Sequence, residues 1–141
     1  MYPLKLLTFL AERFFWEPFS QTLEDAIEMP AADGAEDAVV VFFQIEAKDQ
    51  QEDVRPKVFK KTLKHIKWLA NKKEFNNIVL HSFAHLGGEN ADSAFAEAFF
   101  LELKERLERT GYVVKHTPFG WFSSWELKVY GESLAKVWKD F

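Results

Sequence analysis

The side chains best suited to chemistry gather in two short stretches. The first is Asn77-Ile-Val-Leu-His-Ser-Phe-Ala-His-Leu-Gly-Gly88, a buried strand that runs out into a polar, glycine-containing loop ahead of a long helix. In open α/β folds ligands sit where a strand's carboxyl end meets such a loop. His85 stands there, beside small residues that leave room for a ligand. The second stretch is Thr117-Pro-Phe-Gly-Trp-Phe-Ser-Ser124, which reads as a turn between two later strands. The two are expected to face each other across one site. His85 with Glu89, Ser123 or Ser124 would make an acid–base or nucleophile pair. Trp121, Phe122 and Trp125 offer either a stacking platform for a nucleobase or ordinary core. The other histidines promise less. His65 lies among lysines and is expected on their solvated face. His81, inside a strand, is expected to be a hydrogen-bonded structural residue. His116 sits near a strand end and reads either way. His81, His85 and His116 would be the donors of any metal site, but a strand leading into a loop is a poor frame for one, and none is expected. There is no phosphate-binding glycine loop and no nucleophile elbow.

These stretches need elements to position them. Leu4 to Leu10 reads as a buried strand. Phe14-Phe-Trp16 reads as a second run closed by Pro18, the two forming a hairpin about Ala11–Arg13. Ser20 to Asp37, with Pro30, Gly34 and six acidic residues, reads as a solvated surface connection with one helical turn near Thr22–Glu28. Ala38 to Ile45 is Val- and Phe-rich without alternation, which predicts a strand buried on both faces. Over Arg55 to Asn71, Phe59, Leu63, Ile66 and Ala70 recur at helical spacing. That segment and its end carry eight of the chain's eighteen cationic side chains, and no acidic residue lies between Val54 and Lys73. The lysine face is either simply solvated or a phosphate-tracking surface in an otherwise acidic protein. A helix from about Asp92 to Thr110, capped by Asp92 and ended by Gly111, follows. Strands at Tyr112–Thr117 and Trp125–Tyr130, then a short helix at Ser133–Trp138, complete the order. Strands and helices alternate in the middle and strands pair locally at the ends. The fold class is therefore α/β (α+β), a mixed β-sheet packed by helices.

Composition bounds the rest. At 141 residues the chain reads as one domain over 1–141, and fifteen Phe residues point to a bulky core. Without cysteine there is no disulfide framework, thiolate nucleophile or Cys-ligated zinc, which fits a reducing cytosol. No apolar run reaches the roughly 18 residues of a membrane span, and the start reads as a strand rather than a signal peptide. A net charge of −4 excludes a general nucleic-acid binder.

Ser82-Phe-Ala-His-Leu86, then a helix, then Gly111-Tyr-Val-Val-Lys-His-Thr-Pro-Phe-Gly120 and an amphipathic strand, resembles the N-terminal editing domain of archaeal-type threonyl-tRNA synthetases. The element order matches over Ala38–Leu134, and the first 37 residues align poorly. The resemblance implies the fold of D-aminoacyl-tRNA deacylases, a homodimer, no cofactor, a cytoplasmic location, and a free-standing protein that serves a threonyl-tRNA synthetase. It implies hydrolysis of a wrongly charged aminoacyl ester, typically serine on the threonine tRNA. Phe83, Ala84, Pro118, Phe119, Gly120, Trp121 and Phe122 would line the aminoacyl group. His85 and Ser123 would be catalytic, with the terminal ribose hydroxyl assisting. Lys57, Lys60, Lys61, Lys64 and Lys67 would bear on tRNA phosphates. The sequence departs from the family at telling places. Ser123 stands where a lysine assists hydrolysis, Phe122 where tyrosine is usual, and Lys136 where an acidic residue is expected. Ala11-Glu12-Arg13 replaces a Ser-Asp-type turn. The rival readings are a tRNA- or protein-binding relative without catalysis, and a hydrolase of another small ester or amide using His85.

Overall fold

A computed structural model describes residues 5–22, 28–46, 52–82 and 93–140. Its elements are β1 (Lys5–Gln21), β2 (Asp33–Gln44), α1 (Arg55–Lys73), β3 (Asn77–Ser82), α2 (Ser93–Arg109), β4 (Val113–His116), β5 (Trp121–Val129), a 3-10 turn (Ser133–Ala135) and β6 (Lys136–Asp140). The sheet order is β4-β3-β2-β1-β5, with β6 also on β1. β2, β3 and β4 are mutually parallel, and β1 is antiparallel to β2, β5 and β6.

β1 organises the sheet. The expected hairpin at Ala11–Arg13 does not form: the strand runs through it for 17 residues, about 55 Å if straight. It bends instead. At Glu12 and Asp37 the β1–β2 ladder skips one pair without changing register, and Asp37 takes a left-handed φ of 45°. Opposite β5 the same place is a bulge between Ala11 and Arg13. An extra residue increases local twist and reverses the side-chain alternation. Leu6 and Leu10 therefore join the core on one face, whereas Phe14 and Trp16 join Ala11 on the other. Pro18 does not close the strand, because β1 has by then lost its partner β2, whose pairing ends at Trp16↔Asp33. A missing N–H costs little where no ladder remains on one side.

Two further expectations are corrected. The acidic connection is shorter than its composition suggests, since Asp33–Asp37 already pairs with β1; the helical turn near Thr22–Glu28 falls largely outside the described residues. The terminal helix is only a 3-10 turn, after which Lys136–Asp140 pairs with Lys5–Phe9. β5 covers β1 only from Ala11 onward, so the edge of the first half of β1 is left for β6 to pair. Pairing there outweighs a helix too short to meet its nucleation cost.

Both long helices cover one face. Phe59, Leu63, Ile66 and Ala70 of α1 and Phe99, Phe100, Leu103 and Leu107 of α2 bury against Val39, Val41, Phe43, Ile78 and Leu80. Every residue from Ala38 to Ile45 is buried, Gln44 included, as a Val- and Phe-rich run without alternation predicts. α2 ends as expected at Gly111 (φ 100°), where the Tyr112 N–H reaches back to Leu107 O. The opposite face, inside the curl, holds a second core of Phe14, Trp16, Val40, Phe42 and Val79.

Candidate functional site

Thr117 begins the turn that the sequence singles out, and the fold pins it to β3 twice. Its N–H donates to Leu80 O at 3.0 Å. Its Oγ1 is hydrogen-bonded to His81 Nδ1 at 2.8 Å. The turn is then anchored downstream. Phe119 packs on Phe100 and His116, with ring centroids 4.8 and 5.6 Å apart. Gly120 accepts the Thr22 N–H at 2.7 Å and takes a φ of 77° that a side chain would disfavour. The far end of β1 is thereby brought to the end of the sheet where β3 and β4 finish.

His81 is structural in the way its position predicts, buried and hydrogen-bonded. It sits in an aromatic cage, with ring centroids 4.6 Å from Phe42, 6.0 Å from Phe14 and 6.3 Å from Trp125. Burial lowers its pKa to about 4, so it is neutral at cellular pH. Its functional interest is its place: it ties the carboxyl end of β3 to the turn. The signal was Thr117, a polar residue at the close of an apolar strand.

The expected turn residues Trp121–Ser124 are in fact the start of β5, paired with Gln21–Glu17. The alternation of β5 then sorts the candidates. Trp121, Ser123 and Trp125 share the inward face, and Trp125 packs on Phe42 and Phe14. Phe122 and Ser124 share the outer face. Phe122 is 62% exposed, and Ser124 Oγ lies 3.5 Å from Glu17 O. Ser124 therefore does not stand beside Ser123, and Trp121, Phe122 and Trp125 do not form one platform. Ser123 is the unusual member. Its Oγ is buried, and among the described residues it has no hydrogen-bond partner. A buried hydroxyl without a partner costs about 1–3 kcal/mol, which a ligand or water atom at this position would relieve.

Phe83, Ala84 and His85 follow directly on β3 but lie outside the described residues, as do Glu89 and Asp92. His116 sits by the turn, its Nδ1 3.0 Å from Thr117 O.

The cations lie elsewhere. Lys57, Lys60, Lys61 and Lys64 are exposed on α1, and Lys67 is partly so. Arg55 pairs with Glu102, and Lys73 with Glu132. His65, expected among the lysines, is instead buried against the sheet, its Nε2 3.4 Å from Thr8 Oγ1. The missed signal is a second helical stripe, Val58, Thr62, His65 and Leu69, all buried. A groove of about 570 Å³ opens between β1, β2 and β5, lined by Phe15, Trp16, Glu17, Asp33, Trp125 and Glu126. Its carboxylates suit it poorly to an anion, and neither Ser123 nor the turn lines it.

The fold has close parallels. The structure described as c-Myc DNA Unwinding Element Binding Protein aligns at a TM-score of 0.68 and 14% identity, over 97% of this chain and 98% of that one. A probable eukaryotic D-amino acid tRNA deacylase aligns at 0.66 and 10%, over 98% and 99%. The sheet with its two helices is thus a D-aminoacyl-tRNA deacylase-like fold. In sequence, the threonine–tRNA ligase of Pyrobaculum neutrophilum is 31% identical over 140 residues, 98% of this chain and 22% of that protein. That of Staphylothermus marinus is 29% identical over 140 residues, 96% of this chain and 22% of that protein. The chain thus spans about a fifth of the length of these relatives. The sequence profile described as the archaea-specific editing domain of threonyl-tRNA synthetase matches residues 4–141, and so takes in residues 4–37, which the motifs alone align poorly. This chain belongs to the archaea-specific threonyl-tRNA synthetase editing-domain family.

Proposed function

We propose that the protein hydrolyses the ester of a mischarged aminoacyl-tRNA of the threonine type. In this proposal the aminoacyl group rests between the segment Phe83–Leu86, which follows β3 in the chain, and the wall formed by Pro118–Ser123. The observation that carries this reading is the buried Ser123 hydroxyl, which has no hydrogen-bond partner among the described residues and faces inward beside a turn pinned to the end of β3. It stands where the family's lysine is expected, in a chain whose family is an editing domain. In this reading Ser123 holds a polar atom of the substrate or the attacking water, and His85, three residues beyond β3 in the chain, is the second polar side chain. Backbone groups of Pro118–Gly120 frame the amino group, and the terminal ribose hydroxyl assists the water. Two copies of the chain act as a homodimer in the cytoplasm, clearing errors made by a threonyl-tRNA synthetase.

The test is deacylation of threonine tRNA charged with serine, threonine or a D-amino acid, beside His85→Ala and Ser123→Ala. The expected outcome is loss of the seryl or D-aminoacyl ester by wild type, reduced about 10²–10⁴-fold in His85→Ala. No hydrolysis above the buffer blank for any ester sinks the reading. That result would favour a second one, a tRNA-binding relative without catalysis, which the replacement of the lysine by Ser123 supports. Turnover of small esters that is indifferent to the RNA would favour a general hydrolase. Sedimentation equilibrium tests the homodimer.

A further inference from the structure

The lysine face of α1 has a direction relative to the site. α1 carries the chain from the end of β2 back to the start of β3, and these strands are parallel. Its Arg55 end therefore lies at the end of the sheet where β3 finishes and Thr117 begins the turn. Its Lys73 end lies where β3 and β4 start, and Tyr112 Oη donates to Asn71 Oδ1 there.

Exposed cations line this axis between two paired ends. The two terminal cations are taken up by Glu102 and Glu132. Between them Lys57, Lys60, Lys64 and Lys72 are exposed, and Lys72 Nζ lies over the Trp68 ring at 5.7 Å from its centroid. Exposed Lys139 of β6 stands close enough to help hold His65 neutral, which carries the positive field off the helix onto the sheet edge. From Lys57 to Lys72 the helix rises about 22 Å at ~1.5 Å per residue. That length spans several successive phosphates of one duplex strand. Duplex RNA is held mostly through its shape and its phosphates, which suits a row of flexible lysines better than a base-reading surface.

We infer that the outer face of α1 is a directional track for the end of an RNA duplex, with the 3′ end delivered at Lys57 and the stem running toward Lys72. The inference rests on the reading that the aminoacyl end enters beside the Pro118–Ser123 turn. It adds the partner's polarity and the length of stem engaged.

Binding of uncharged RNA tests it without any chemistry. Lys57→Gln, Lys64→Gln and Lys72→Gln are titrated against threonine tRNA, a stem hairpin bearing the 3′ overhang, and the same hairpin shortened from its loop end. With full tRNA, each substitution should lower the slope of log affinity against log salt by about 0.7–0.9. On shortening, Lys72→Gln should become silent first and Lys57→Gln last. Loss of the Lys57 effect first, or tRNA affinity unchanged by all three substitutions, overturns the track. So does equal binding to anionic lipid vesicles with the same lysine dependence. Graded RNA binding without ester hydrolysis would overturn the deacylase reading and leave the track standing. Hydrolysis with lysine-independent binding would do the reverse.

Discussion

The two faces of the sheet each bury a histidine against a threonine, and the pair invites comparison. His65 lies on the helix-covered face, against Thr8 at 3.4 Å and with its ring centroid 6.0 Å from that of the partly exposed Trp68. His81 lies inside the curl, against Thr117 at 2.8 Å and amid Phe14, Phe42 and Trp125. Both have a pKa lowered to about 4, chiefly by burial, with Lys139 adding to the effect at His65. Identical chemistry has different consequences because of what each threonine is attached to. Thr8 is mid-strand in β1, paired on both sides. Thr117 opens the turn that walls the candidate site. One histidine fastens a helix to a sheet, and the other fastens a turn to a strand end.

The largest expected effect tests whether the inner face is a true core. Phe42→Ala removes the ring shared by His81, Phe14 and Trp125 and should cost about 3–5 kcal/mol in urea unfolding. A loss under about 1 kcal/mol would mean that the aromatic cluster is loosely held and the comparison fails at its base.

Next is acid. Each histidine is neutral in the folded chain down to about pH 4, whereas its ordinary pKa is 6.5. Between these values the unfolded chain binds a proton that the folded chain refuses. Stability from each is fully present above pH 6.5 and falls as pH drops toward 4, by roughly 3 kcal/mol per histidine. Urea midpoints at several pH values check this, and His65→Leu should remove about half of the histidine-dependent slope. An unchanged slope in that variant would show that His65 is not buried neutral.

Function should separate the two. His81→Phe keeps the ring and loses the hydrogen bond to Thr117. It is expected to lower deacylation about 10²-fold, the scale of a misplaced binding wall, with His65→Leu within about threefold of wild type. Thr117→Val should resemble His81→Phe, and the double variant should be no worse than either, since both remove one contact. Additive losses would mean that the two residues act separately.

The smallest effect runs the other way. Ser123→Ala deletes a buried hydroxyl that has no partner among the described residues and should raise stability by about 1 kcal/mol while lowering activity. A variant that is destabilised would reveal a structural partner for Ser123 and remove the reason to place it in the site.

Much of this was legible in the chain. The Val- and Phe-rich run Ala38–Ile45, the helical stripe of α1 and the stop at Gly111 each follow from local pattern. So does the expectation that His81 is buried and bonded. The phrases around Pro118-Phe-Gly120 identify the family. Other features depend on partners distant in sequence. β1 continues through Ala11–Arg13 because β2 and β5 offer ladders on both sides, and Trp121–Ser124 is strand because Gln21–Glu17 lies beside it. Lys136–Asp140 leaves its helical pattern for the free edge of β1. His65 is hidden because the stripe it belongs to is marked by Thr62 as well as by apolar residues.

By itself, then, the sequence determined which segments bury, where charge is segregated and to which family the chain belongs. Periodicity and residue chemistry act over a few neighbours and need no partner. The tertiary structure alone decided that β1 bends at Glu12 and that Ser123 turns inward while Phe122 and Ser124 turn out. It also decided that His81 grips Thr117 across 36 residues of chain. A bulge reverses alternation, and a bridge between distant strands selects its histidine. Both are set by backbone pairing, which no local pattern encodes.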